Sequence, residues 1–246
     1  MNNANFGIHA ASQDIFEISS TAKHDVGERL QLGDRVFRYG KAGAVALGKA
    51  LMTQAPAVVT NHKEQVQTAY GWTAGQTVVN VLVGATAVTL DQYKDGYAVI
   101  NKGTGLNQAY KIKSNTAAVL SGVTILPLYD AVIIAVAATA EITLVANPYV
   151  DTIVAVQTTL TAQAVGVPLV AVTAAYYYWS QVAGPCPMTV DTGDTLVTGN
   201  DCGTPATNAV AGTVGVSSAV LPIYGRVMQF IGTADETALI FLTLEK

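Results

Sequence analysis

The chain has 246 residues, half of them hydrophobic and only 12% charged, with 13 Lys and Arg against 17 Asp and Glu for a formal net charge of −4. That length supports one large domain or two small ones, with full cores and no need of disulfides or metals. The scattered basic residues and a pI near 5.3 argue against a nucleic-acid-binding face, which needs concentrated Lys and Arg, and the longest apolar run, residues 131–140, is about half the roughly 20 residues of a membrane-spanning helix.

Residues 1–30 show no sustained alternation and little turn chemistry, and their apolar residues are scattered. We read this segment as an extended N-terminal arm that orders against something outside itself, with Phe6, Ile8, Phe16 and Ile18 as its contacts. The opening MNNANFGIHAASQ has neither a basic start nor an apolar core, so a secretory address is not expected.

Strand signals begin at Gly33. In Arg35-Val36-Phe37-Arg38-Tyr39, Phe37 and Tyr39 fall on one face and Arg38 on the other, the period of a half-buried strand. Residues 42–54, AGAVALGKALMTQ, carry helix formers interrupted by Gly43 and Gly48, which each weaken a helix by about 1 kcal/mol; a turn and then a strand over 50–53 is the better reading. Strands are predicted over 76–83, 88–90, 97–100, 108–113, 123–126 and 142–145, with Asp95-Gly96 as a turn signal favouring positive φ. From residue 159 a second series follows at 168–172, 175–181, 187–190, 195–197, 226–231 and 238–244, separated by Gly, Pro, Asn or Asp clusters. The pattern predicts a mainly β fold of antiparallel sandwich or barrel modules, divided into the arm (1–30), a β domain (31–158) and a second, smaller β domain (159–246). No βαβ alternation and no sharp internal repeat is evident.

The candidate chemistry is sparse. Asp191-Thr192-Gly193 resembles the active-site turn of aspartic proteases, but that reaction needs two carboxylates sharing a proton, and Asp194 would add a like charge, so a polar hairpin turn is preferred and a hydrolase is only a remote alternative. Asp191, Asp194 and Asp201 match no calcium-loop spacing. Gly103-Thr104-Gly105 lacks the third glycine, the lysine and the helix of a phosphate cradle. Cys186 and Cys202 are too few for a zinc site with His9, His24 and His62 distant in sequence; they are free thiols, or else a disulfide closes their loop. No serine, cysteine and histidine pattern marks a nucleophile, although such a triad is defined by geometry. We therefore expect no enzyme, no catalytic residue, no metal and no cofactor. In the block Tyr176-Tyr177-Tyr178-Trp179, Tyr177 and Trp179 share one strand face and Tyr176 and Tyr178 the other. One face meets the core; the second meets another sheet or a neighbouring subunit, where Tyr176 and Tyr178 would make the contact.

Three segments carry a resemblance: Leu32-Gly33-Asp34-Arg35-Val36-Phe37-Arg38-Tyr39-Gly40-Lys41-Ala42-Gly43, Asn107-Gln108-Ala109-Tyr110-Lys111-Ile112, and Tyr177-Tyr178-Trp179-Ser180-Gln181-Val182-Ala183-Gly184-Pro185-Cys186. Together they resemble structural proteins of tailed bacteriophages, in particular head decoration (cement) proteins. The resemblance implies a virion component made in the bacterial cytoplasm and placed on the capsid surface, whose partners are the major capsid protein and its own copies in a homotrimer, without direct contact to nucleic acid or membrane. It transfers no catalytic residue, and a tail or fibre subunit that binds a cell-surface glycan is the alternative.

Overall fold

The computed structural model describes residues 12–156, 160–205, 210–217, 221–229 and 236–245. The strands in chain order are β1 (Arg29–Leu32), β2 (Arg35–Lys41), β3 (Thr53–Gln54), β4 (Gln65–Val66), β5 (Val78–Leu82), β6 (Tyr97–Lys102), β7 (Ala109–Lys111), β8 (Val123–Pro127), β9 (Glu141–Val145), β10 (Ile153–Val154), β11 (Ala164–Pro168), β12 (Tyr177–Thr189), β13 (Asp201–Gly203), β14 (Gly215–Val216), β15 (Ile223–Gln229) and β16 (Thr237–Thr243). A single 3₁₀ turn, Thr60–His62, is the only helical element among the described residues. The mainly β expectation holds, and every pairing between these strands is antiparallel.

The domain expectation is corrected. One compact unit is discontinuous, Met1–Pro56 with Pro148–Lys246, and the other, Ala57–Asn147, is inserted within it. The predicted break near residue 159 falls inside the first unit, because Gln54 of β3 pairs with Ile153 of β10 on one side and with Ala164 of β11 on the other. Hydrogen bonding to an earlier strand, not proximity along the chain, assigns both halves to one sheet.

The first unit is organised by β12. Gln181 pairs with Phe37 of β2 on one edge and Val167 of β11 on the other, and after β11 ends that second edge is taken over by β16, through Ala183↔Thr243 to Thr189↔Thr237. The sheet then runs on through β15 and β13 to β14. In the first half of β12 residues on both faces are buried; beyond Gly184 the strand alternates, with Cys186 and Met188 inward. Pro185 and Pro187 lie past the end of β2, on a stretch where that edge has no strand neighbour among the described residues, which is where a residue lacking N–H is tolerated.

The expected arm is partly corrected as well. Residues 12–30 belong to the first unit's own core: Ile15 and Leu30 pack with Phe37, Tyr39 and Trp179, and β1 pairs with β2. Gln13 fixes the entry, since Trp179 Nε1 donates to its carbonyl at 3.1 Å and Tyr39 Oη to its Oε1 at 2.6 Å.

The inserted unit holds the sheet β4-β9-β6-β7 and the separate pair β5-β8. Trp72, Val81, Ile100, Ile112, Leu126 and Ile142 are among the residues that form its core. Its first strand, β4, pairs with its last, β9, so the two ends of the insertion lie on adjacent strands.

A short device recurs that has no common sequence. Leu47 bridges Val172, Trp72 bridges Val136 and Val88 bridges Ala118, each by reciprocal N–H to C=O bonds of 2.8 to 2.9 Å. Three residues after the bridge the chain turns, with Ala50, Gly75, Asp91, Ser121 and Ala175 at φ between 52° and 88°. In four of these, at Gly75, Asp91, Ser121 and Ala175, the next residue's N–H closes a β-turn onto the carbonyl three back, as a type II turn requires. This accounts for two predicted strands that are absent: 88–90 is a bridge and turn, and 168–172 ends in one. Residues 195–197 are loop.

Candidate functional site

Strands β15 and β16 present a one-sided pattern, most regular in β16, where Ala238, Ile240 and Leu242 face the core and Thr237, Leu239, Phe241 and Thr243 face out. The inward set closes with Cys186, Met188, Val227 and Tyr224. Within the outward set, Leu239 and Phe241 are large and apolar where a solvated sheet face is ordinarily polar. Ile223, Met228, Leu239 and Phe241 are between 36% and 51% exposed. The pairings Pro185↔Phe241, Pro187↔Leu239 and Phe241↔Arg226 extend this surface across three strands. Arg226 Nε bonds Asp201 Oδ1 at 2.9 Å and supplies a charged rim. An apolar patch with a polar border is the usual mark of a protein-binding surface.

The inserted unit has its own apolar tip. Leu90 and Leu120 are equivalent positions of the Val88↔Ala118 turn pair, and with Val119 they are 64–74% exposed.

The residues predicted as contacts are placed differently. Phe6 and Ile8 lie outside the described residues. Phe16 is exposed. Ile18 and Tyr176 are half-buried against the cluster of Ala42, Leu47, Val172 and Tyr178. Tyr178 is corrected: it is 1% exposed and its Oη lies 2.9 Å from Thr152 Oγ1, so it offers no surface to a neighbour. Both faces of the Tyr176–Trp179 block are taken up by the unit's own clusters. Sequence reasoning missed Leu239 and Phe241, because residues 238–242 are one unbroken apolar run, which reads as a strand buried on both faces.

The Asp191 turn is a buried staple. Its carboxylate accepts from Val210 N at 2.7 Å, Thr213 Oγ1 at 2.9 Å and Gly193 N at 3.3 Å. Asp194 Oδ2 accepts from Val216 N at 3.0 Å; burial pushes its carboxyl up, with the nearby Asp191 charge adding to this and the Val216 bond opposing it. Gly215 leaves the space that the Asp194 carboxylate occupies. Asp201 pairs with Arg226, and among the described residues no group of three or more His, Cys, Asp or Glu side chains gathers as a metal site. Cys186 and Cys202 are free and buried, on strands separated by β16 and β15, so the alternative of a disulfide is not realised. Burial pushes both thiols up to about 12, leaving them inert at neutral pH. Gly103 and Gly105 both take positive φ in the β6–β7 turn.

One constellation emerges that no sequence pattern announced. Ser12 Oγ lies 2.6 Å from His24 Nε2, and His24 Nδ1 lies 3.3 Å from Glu28 Oε2. The imidazole is held between Tyr39 and Trp179, at ring-centroid distances of 5.1 and 4.9 Å. Comparison with protein families, with curated proteins and with solved structures finds no match to this chain.

Proposed function

We propose that this chain is a structural assembly protein of a tailed-phage particle, decorating the capsid surface and bridging neighbouring capsomers through contacts with the major capsid protein and with its own copies in a homotrimer. The observation that carries the reading is the outward apolar face of β15 and β16, with Leu239 and Phe241 at its centre. Fully burying such a side chain is worth about 1.5–3 kcal/mol; those on this face are already about half covered, so each contributes about half of that. Repetition over a symmetric shell converts such modest contacts into avidity. Low charge and a nearly all-β core suit a protein whose work is surface area. Phe16 and the Leu90–Leu120 tip are further exposed apolar groups available to the same end.

The test is where the chain sits in an intact particle, followed by the variant Leu239→Asp with Phe241→Asp. Both positions point outward, so the variant keeps its melting temperature while losing particle attachment or self-association. Full occupancy of particles by the variant overturns the role of this face; recovery of the wild-type chain in isolated tails, with binding on a glycan array, replaces the capsid reading by the tail or fibre one.

A further inference from the structure

We propose that the outer sheet face of the inserted unit binds acidic carbohydrate, with Tyr97 as the platform for a sugar ring, Lys111 as the cation for its carboxylate and Asp95 as an acceptor for its hydroxyls. The geometry is set by one row of residues across the sheet. Tyr97 of β6 is in register with Val145 of β9 on one side and with Lys111 of β7 on the other. The bridge Ile112↔Leu128 then brings Tyr129 opposite Lys111, where Tyr129 N donates to the Lys111 carbonyl at 3.0 Å. Partners in register share a face, and the next row, Leu144, Ala98 and Tyr110, is buried in the unit's core. Tyr97 and Tyr129 therefore stand outward, 43% and 51% exposed, and two strand spacings put them about 10 Å apart.

The polar groups of this row are held in place before any ligand arrives. Tyr129 Oη donates to Asp95 Oδ1 at 2.8 Å, and Lys111 Nζ lies over the Tyr129 ring, 5.5 Å from its centroid. Asp95 is fixed through its backbone as well: it sits at φ +59° in the turn before β6, and its N–H donates to the Ile112 carbonyl at 2.8 Å. A carboxylate has about four acceptor sites, so Asp95 can take hydroxyl donors while keeping Tyr129. Lys113, exposed beyond buried Ile112, adds a second ammonium.

The chemistry of these groups selects the ligand. The face of an aromatic ring is negative and attracts the polarised C–H groups on the apolar side of a pyranose, whereas Asp95 suits the hydroxyls at its edge. Lys111, in the middle of the row, favours a sugar that carries a carboxylate. A protein partner fits less well, because the centre of a protein interface is depleted of charge. A nucleic acid fits less well again, since the Asp95 carboxylate and a chain of formal net charge −4 oppose a phosphate backbone.

The full chain is run in native gels cast with alginate (uronic acids), colominic acid (sialic acids) or dextran (neutral sugars), and dissociation constants are taken from the retardation. Retardation by at least one of the acidic polymers, falling as salt rises, and little by dextran is expected. Tyr97→Phe should keep the affinity, while Tyr97→Ala and Lys111→Met each weaken it by about tenfold or more. Lys49→Ala, an equal loss of charge in the first unit, should leave it unchanged. Circular dichroism checks the fold of each variant, and should Tyr97→Ala unfold, Lys111→Met still decides. No retardation by either acidic polymer, equal retardation by dextran, undiminished binding by folded Lys111→Met, or equal binding of oligothymidylate overturns the proposal. Because the site lies within the inserted unit, Leu239→Asp with Phe241→Asp should bind carbohydrate as the wild type does. Loss of particle attachment and loss of carbohydrate binding are thus separate outcomes, and the place of the chain in the particle still decides between head and tail.

Discussion

Asp191 illustrates how far a single residue can depart from its local appearance. The triplet with Thr192 and Gly193 reads as an exposed polar turn, for which a substitution costs about 0.5 kcal/mol or less. In the fold the side chain is fully buried and accepts three hydrogen bonds, one from Gly193 in its own turn and two from Val210 and Thr213 beyond β13. Asp191→Asn places an amide against donors that need an acceptor, so we expect a loss of about 1.5–3 kcal/mol, measured by urea denaturation; a loss within surface scale would show that the loop rearranges freely. Glu245 gives a pH-dependent counterpart. Burial pushes its carboxyl up, but hydrogen bonds from Arg38 and Tyr149 and the Arg38 charge outweigh this and hold it below the usual value. Arg38 reaches it through Nε and the terminal nitrogen at 2.8 Å each, and Tyr149 Oη at 2.7 Å. A folded-state value below the unfolded one means that this contribution is complete above the ordinary carboxylate range and disappears as pH falls through the folded value. Glu245→Gln should therefore cost about 1 kcal/mol at pH 7 and match the wild type in acid. A wild-type advantage that persists unchanged in acid would mean the carboxylate charge is not its source.

At the scale of the element, backbone conformation explains what residue preference does not. Gly184 sits at φ +83°, where β12 passes from its β2 edge to its β16 edge, and a Cβ there would fall on the Asp34 carbonyl. Gly184→Ala should lower stability by more than about 2 kcal/mol, combining left-handed strain with the clash. The bridge-and-turn device makes the opposite prediction. Ala175 adopts φ +64° in an exposed turn, so Ala175→Gly should raise stability by about 0.5–1 kcal/mol by relieving that strain. Thermal melts of the two variants, moving in opposite directions, check the assignment; a destabilised Ala175→Gly would show that the turn is held by contacts of the methyl group.

For the molecule as a whole, the nested arrangement has a direct consequence. Residues 57–147 contain their own core and begin and end on paired strands. Expressed alone, this segment should fold into a β-rich unit with a cooperative melt. Deleting residues 1–30, by contrast, removes Gln13, Ile15, Leu30 and the first half of β1 from the first unit and should prevent that unit from folding, so this truncation cannot serve as a test of attachment. A first unit that melts unchanged after the deletion would return these residues to the role of a free arm.

The sequence by itself determined the class of fold. Period-2 alternation at residues 35–39 and 108–113, a turn signal at Asp95-Gly96, and the want of helical periodicity are local properties, and local backbone preference is enough to choose β over α. The aromatic block was legible to the same depth, down to which rings share a face. Tertiary structure alone decided the rest. The nesting of one unit in another follows from hydrogen bonds between β3 and strands a hundred residues later. The burial of Asp191, the fate of Tyr178 and the outward placement of Phe241 follow from which face of a sheet finds a second layer. Ser12, His24 and Glu28 meet because Gln13 is anchored by Trp179, more than 160 residues away. Sheet pairing joins strands at any separation along the chain, so neighbourhood in space, on which every site depends, is information that no local pattern contains.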